Sequence, residues 1–407
     1  MELRIKRLQA NAELQRIIAA LSGYLSGRQY RRIPELFAEE EEIWASMPWG
    51  TYRGQEGLER LFDGLYRALY GDEAGRPGLL TVHGANTPVI TVGADCRTAW
   101  GSWISPGVFT LQEDGAPNGL RSYWAWQKIF GVFVREETGW KIRRLQVTPL
   151  FTTAFEKNWA EAQSLPWNGI PAEFAPDGPP EEVPPAPDPA GIPLAPRQIA
   201  PWDRSDEARV TRLELAAEAQ RLMGVYAEYL WSGRFDEIPG LFALETPTVR
   251  AELLSGVYAG PEEIRNAYAA LLPAGGTILE GVQSLETPVI RAAGDCQTVK
   301  GVWVSPGYRT IRLGDGTTAG VFAWRKYAAD FIVTRDGLRI WHLHEYGLFD
   351  SVWGSGEIRT AGVLDGTLTL PAGTPPTTPF SLSEDSVYPY EPAVPRQYGV
   401  YDPDYGY

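Results

Sequence analysis

The chain has 407 residues, 44% of them hydrophobic and 22% charged, and carries a formal net charge of −14. That length fits two or three domains with ample core material, and an acidic chain without a Lys/Arg cluster speaks against nucleic-acid binding, which needs a cationic surface. No apolar run reaches the length of a membrane span. The amino-terminal MELRIKRLQANAELQRI has no apolar signal core, and two cysteines build no disulfide framework, so a cytoplasmic setting is expected.

Taken in chain order, the sequence reads as one unit written twice. Leu14, Ile17, Ile18, Leu21 and Leu25 recur at helical spacing, and Leu215, Leu222, Val225, Tyr229 and Leu230 repeat the pattern. Gly27 and Gly233 stand where each helix should stop. A short second helix holds IPELF or IPGLF, and a third begins after Tyr-x-Gly at Tyr52 and Tyr258. Four runs rich in β-branched and aromatic residues follow, 87–92, 97–105, 121–135 and 139–148. TPVITVGADCRTAWGSWISPGVFT at 87–110 matches TPVIRAAGDCQTVKGVWVSPGYRT at 287–310 in 13 of 24 positions. WQKIFGVFVREETGWKIRRLQVTPLF at 126–151 pairs without a gap with WRKYAADFIVTRDGLRIWHLHEYGLF at 324–349. Helices first and a meandering sheet afterwards predict an α+β fold for each copy.

Each copy is followed by a proline-rich segment, 164–205 and 354–407, which together hold 20 of the 33 prolines. APRQIAPWD at 195–203 and VPRQYGVYD at 394–402 keep the repeat, so both segments are expected to be ordered arms. Trp167, Trp202, Tyr388, Tyr390, Tyr398 and Tyr401 are their candidate anchors, with Arg197 and Arg396 as polar pins. The expected domains are 1–163 and 206–353, with arms at 164–205 and 354–407.

The order of helix, Tyr-x-Gly, TPVI strand, G-x-W strand, W-x-K strand and closing G-W-K-I strand resembles the SnoaL-like branch of the nuclear-transport-factor-2-like superfamily, here in tandem duplication. The resemblance implies two cone-shaped α+β barrels, each a curved, mostly antiparallel sheet wrapped around helices with an internal pocket for a small hydrophobic molecule. Relatives include steroid isomerases, dehydratases, polyketide cyclases and proteins that only bind, so the fold does not settle the chemistry. Single-domain relatives commonly dimerise through the outer face of the sheet. The closing strands carry apolar residues on both parities, Ile142 beside Leu145 and Val147, and Ile340 beside Leu343. A strand apolar on both faces is covered on both. The expectation is an internal pseudo-dimer of the two repeats, with room for further oligomerisation.

All three histidines are candidates for catalysis. His83 lies four residues before Thr87-Pro88, the spacing at which bile-acid dehydratase-like members of the superfamily place a catalytic histidine. Its counterpart is Gln283, which cannot shuttle protons. His342 and His344 share one strand face, where repeat one has Arg144 and Gln146. Glu345 points to the opposite face, so a third ligand is lacking and no metal is expected. Tyr24 and Tyr229 sit about one helical turn from the family's tyrosine position, while Ser26, Ser232, Gly107 and Gly307 replace its carboxylates.

The candidate catalytic residues are thus His83, Tyr24, His342 and His344. Trp103, Arg144, Tyr229, Trp303 and Tyr346 are candidate substrate contacts, and the two tryptophans fit ordinary core as well. Cys96 and Cys296 are equivalent and read as structural. No G-x-G-x-x-G follows a strand and no Walker-type lysine occurs, so no cofactor is expected. The leading reading is a cofactor-independent lyase or isomerase acting on an aromatic or polycyclic hydroxy or carbonyl compound. The alternative is a non-catalytic binding protein or a pseudo-enzyme. Divergence at His83/Gln283 and Arg144/His342 implies that at most one pocket keeps the original chemistry, and the cluster of His342, His344 and Tyr346 points to repeat two.

Overall fold

The computed structural model describes residues 1–39, 42–72, 78–160, 169–186, 199–200, 203–269, 278–312 and 316–353. The chain divides into two units, Met1–Pro189 and Ala190–Tyr407. The first opens with α1 (Glu2–Ser26), which buries Ala10, Leu14, Ile18 and Leu21 along one stripe and stops at Gly27. A 3-10 turn at Pro34–Leu36 takes the place of the expected second helix. Two short strands follow, β1 (Trp44–Met47) and β2 (Gly50–Arg53). Next comes α2 (Gly54–Glu59), which runs through a π-helical stretch, Arg60–Tyr66, into α3 (Arg67–Tyr70). The sheet is completed by β3 (Thr81–His83), β4 (Asn86–Val92), β5 (Thr98–Gln112), β6 (Leu120–Glu136) and β7 (Gly139–Ala154).

The strand order is β2-β1-β7-β6-β5-β3, with β4 also on β5. Only the β1–β7 pair within this sheet is parallel. The long strands β5, β6 and β7 outrun the expected segments, because fifteen or more residues of one strand can curl around a helix with alternate side chains turned inward. Trp103, Phe133, Ile142, Leu145 and Val147 from those strands meet Leu14, Ile18 and Leu21 of α1 in one core.

The second unit repeats the plan with α4 (Asp206–Ser232), β8 (Arg250–Leu253), β9 (Gly256–Ala259), α5 (Pro261–Ala269), β10 (Ile278–Gln283), β11 (Glu286–Ala292), β12 (Thr298–Ser305), β13 (Gly307–Arg312), β14 (Thr318–Thr334) and β15 (Gly337–Val352). Here the counterpart of β5 is split at Pro306 into β12 and β13. Gly233 caps α4 in the left-handed region at φ 71°, which glycine adopts without steric cost. Ser205 accepts from the Ala208 amide at the other end, at 3.2 Å.

The closing strands correct one expectation. Val132 pairs with Arg144 and Phe133 with Ile142, so Arg143 is an extra residue in a β-bulge. The same shift lies between Asp330/His342 and Phe331/Ile340 and makes Trp341 the extra residue. A bulge reverses the parity of the residues that follow it, here up to a second register shift at Leu150 and Leu348. Ile142, Leu145 and Val147 therefore face the same core, as do Ile340 and Leu343. The two-parity pattern comes from the bulge.

After the first domain, residues 169–186 run along the β2 edge. The Thr51 amide donates to the Gly178 carbonyl at 3.0 Å, and the Asp177 amide to the Thr51 carbonyl at 2.9 Å. Tyr52 Oη donates to the Phe174 carbonyl at 2.9 Å, and the Arg53 amide to Asp177 Oδ2 at 2.8 Å. Asp177 also pairs with Arg60, and Arg53 with Glu181. Gly50 has φ 148°, and a Cβ there would lie 2.4 Å from Pro176 Cγ. The segment supplies partners for an edge strand that would otherwise expose its ladder. Trp167, Arg197, Trp202, Tyr388, Tyr390, Arg396, Tyr398 and Tyr401 lie outside the described residues.

Asp177→Ala removes the partner of both the Arg53 amide and the Arg60 guanidinium. The expected loss is about 1–3 kcal/mol in denaturant unfolding of the full chain, with faster protease cleavage inside 169–186. Cleavage as slow as in the wild type would show that Asp177 does not hold the segment.

Candidate functional site

The first unit holds two adjoining cavities of about 30 Å3 each. Both are lined by Met47, Tyr66, His83 and Gln127. One extends past Trp49, Tyr70 and Thr152, the other past Leu21, Phe62, Ile129 and Val147. No Asp or Glu is among the residues described as lining either.

His83 sits at the end of β3, opposite Gly107 of β5. A Cβ at Gly107 would lie 2.1 Å from His83 Nδ1, so the glycine makes the seat for the ring. Ser22 of α1 donates to the His83 carbonyl and ties the strand end to the helix. The His83 Nδ1 is buried and has no hydrogen-bond partner. Desolvation pushes the imidazole pKa down to about 4, because the apolar surroundings penalise its charged form. His83 therefore faces the cavities as a neutral ring. Burial raises the pKa values of Tyr66 and Tyr70 in the same wall, so both phenols keep their protons as potential donors.

The other sequence candidates go elsewhere. Tyr24 lies under the Arg32 guanidinium, 4.5 Å from its ring centroid, and lines neither cavity. Tyr229 is held the same way by Arg234 at 4.3 Å. A cation over an aromatic face fixes the ring in that position. Trp103 and Trp303 are buried in the two cores, packed edge-on against Phe133 and Phe331. Each lies over a glycine, where a Cβ would come within 2.3 Å at Gly101 and 2.2 Å at Gly301. Cys96 and Cys296 are both buried and unbridged.

His342, His344 and Tyr346 do share a face, but it is the one opposite Leu343, which packs in the core. His342 Nδ1 is 3.3 Å from Asp330, which also holds Lys300 at 2.8 Å. His344 Nδ1 is 2.8 Å from Glu252, and its ring stacks on Tyr346 with 3.7 Å between centroids. Burial raises the Glu252 pKa, but the His344 hydrogen bond and the charges of His344 and Arg250 outweigh it, and the net shift is downward. Arg144, in the matching position of β7, is 3.6 Å from Glu42. These groups form outward-facing ion pairs, and the structure does not bring them together with His83. Among the described residues no group of three His, Cys, Asp or Glu could hold a metal ion, and no helix is long and apolar enough to cross a membrane.

The inward side of β15 carries what sequence reasoning missed. Glu345 reaches the Tyr327 hydroxyl at 3.4 Å, Arg325 at 3.4 Å and Arg309 at 3.8 Å. Arg325 also pairs with Asp350 at 2.6 Å. The gapless alignment of 126–151 with 324–349 contains the signal, since Gln127, Ile129 and Val147 align with Arg325, Tyr327 and Glu345. Only the bulge reveals that these positions face inward.

The first unit is thus a helix-led α+β domain whose curled sheet encloses the two cavities. Residues 6–146 match the SnoaL-like domain model, and the two similar sheets are consistent with a tandem duplication. No curated protein matches the chain. Among solved structures it is similar to a hexachlorocyclohexane dehydrochlorinase from Novosphingobium barchaimii, at 17% identity over 40% of this chain and 98% of that one, TM-score 0.31. A candidate scytalone dehydratase from Novosphingobium aromaticivorans gives 14%, 44% and 99%, TM-score 0.30. An NTF2-like protein with a cystatin-like fold, from the same species, gives 21%, 36% and 86%, TM-score 0.29. Likeness at this level carries nothing about chemistry.

The buried neutral imidazole makes stability pH-dependent. Its folded pKa of about 4 lies below the unfolded value, so only the unfolded chain takes up the proton between about pH 6.5 and 4. Stability is expected to be level above about pH 6.5, to fall by about 2–3 kcal/mol towards pH 4, and to level off below. His83→Gln, which places the residue of repeat two in the same glycine-lined seat, should remove that part of the loss. Urea unfolding of both chains between pH 7 and 4 reads the difference, and parallel curves would contradict it.

Proposed function

We propose that the amino-terminal cavity takes a hydrophobic aromatic or polycyclic compound bearing a hydroxyl or carbonyl group. The domain then acts on it as a cofactor-independent lyase or isomerase. The observation that carries this reading is the buried, unpartnered Nδ1 of His83, a residue that lines both adjoining cavities. An unpaired buried nitrogen is costly, and a ligand hydroxyl or an acidic C–H next to a carbonyl would relieve that cost. A neutral imidazole can take a proton at that nitrogen. The resulting imidazolium would be stabilised by the anion formed on the ligand, since opposite charges attract more strongly away from bulk water. Gln127 and the protonated phenols of Tyr66 and Tyr70 line the same space and can donate to the ligand oxygen.

A second reading, binding without turnover, is favoured by one observation. No carboxylate lines the cavities described, so nothing but the ligand would support the imidazolium.

A panel of hydroxylated and carbonyl aromatic compounds separates the two. Under the catalytic reading, His83→Gln keeps binding within a few fold and lowers turnover by about 10²–10⁴. Val147→Phe, which fills the cavity, abolishes both. Binding by the wild type with no turnover of any bound compound would establish the second reading. Unchanged turnover in His83→Gln would remove His83 from the mechanism.

A further inference from the structure

The cavity of the first domain and the interior of the second are built from the same positions. Leu21 and Phe62, which line the cavity from the helices, correspond to Tyr226 and Tyr268. Phe109, Gln127, Ile129, Val147 and Thr152, which line it from the sheet, correspond to Arg309, Arg325, Tyr327, Glu345 and Asp350. Register confirms the match, because Ile129 pairs with Val147 and Tyr327 with Glu345.

In the second domain these side chains bind each other. Tyr226 and Tyr268 share a hydroxyl–hydroxyl hydrogen bond of 3.1 Å, and the Tyr226 ring packs edge-on against Tyr327 at 6.1 Å. Tyr327 donates to Glu345 at 3.4 Å, Arg325 bridges Glu345 and Asp350, and Arg309 stands 3.8 Å from Glu345. Two guanidinium groups meet two carboxylates, so the cluster balances its own charge. Arg325 is wholly buried and Asp350 nearly so, at 0% and 1% side-chain exposure. Gln283, at the place of His83, is also satisfied: it accepts from Ser305 at 3.0 Å and donates to the Ala323 carbonyl at 3.2 Å.

We propose that the second domain has exchanged the ligand cavity for this Arg–Glu–Asp–Tyr network, so that the chain takes one ligand, in the amino-terminal domain, and the centre of the second domain holds structure. The inference rests on the proposed function for the site of that one ligand. Larger and charged side chains occupy the positions that leave space in repeat one, and their polar atoms are turned on each other. Removing one member strands the others, whereas removing matched members together does not.

Two measurements on the full chain test it. In urea unfolding, Glu345→Val and Arg325→Gln, the repeat-one residues, each lower the midpoint by about 1 M. Together they lower it by less than the sum. Additive losses overturn the network, and Glu345→Gln provides a milder variant if Glu345→Val does not fold. In titration with the neutral dye N-phenyl-1-naphthylamine, the wild type binds about one dye per chain. Val147→Phe or Ile129→Phe abolishes that binding, and Glu345→Gln leaves it intact. A site that survives both phenylalanine variants and disappears in Glu345→Gln would place the ligand in the second domain and overturn the proposal. Absence of dye binding combined with strong coupling would instead count against the amino-terminal cavity as a ligand site while leaving the network standing.

Discussion

The extra residue in each closing strand decides which side chains reach the interior. Arg143 and Trp341 are bulged positions, and the residues that follow them change face relative to simple alternation until a second register shift, at Leu150 and Leu348, restores it. Because of the first shift Leu145 and Val147 join Ile142 around α1, and Leu343 joins Ile340 around α4. The same shift turns Arg144, His342 and His344 outward. Core, cavity and the ion pairs on the opposite face of the sheet all depend on backbone irregularities kept in both copies.

Glycine performs a second shared task. Gly101 and Gly301 lie under the Trp103 and Trp303 rings, and Gly107 and Gly307 leave room for His83 and Gln283. A side chain larger than hydrogen would collide at each of these places, so the sheet carries flat, dense layers where two aromatic or planar groups need to fit. The seats persist although their occupants have diverged, which separates scaffold from chemistry within one chain.

What the two interiors do with that scaffold differs in kind. In the first domain the lining is apolar apart from a few groups, and burial leaves His83 neutral. In the second domain Arg309, Arg325, Glu345 and Asp350 are brought inside and neutralise each other, with burial keeping Tyr226, Tyr268 and Tyr327 protonated around them. Isolated buried charge is expensive, so such a set survives only as a connected whole.

The sequence by itself determined the duplication, the long leading helix and the later strands of each copy, the stops at Gly27 and Gly233, and the place of His83 before Thr87-Pro88. Those features are local or repeat at a fixed offset, and both survive in one dimension. Which face a strand residue takes does not survive there, since one bulged residue reverses the parity and nothing in WKIRRLQV or LRIWHLHE announces it. Nor does the partner of a side chain. Arg32 and Arg234 draw Tyr24 and Tyr229 against themselves, and the pocket instead acquires Tyr66 and Tyr70 from a helix with a π-helical stretch. Tertiary structure decided these matters because facing and pairing depend on distances between segments far apart in the chain.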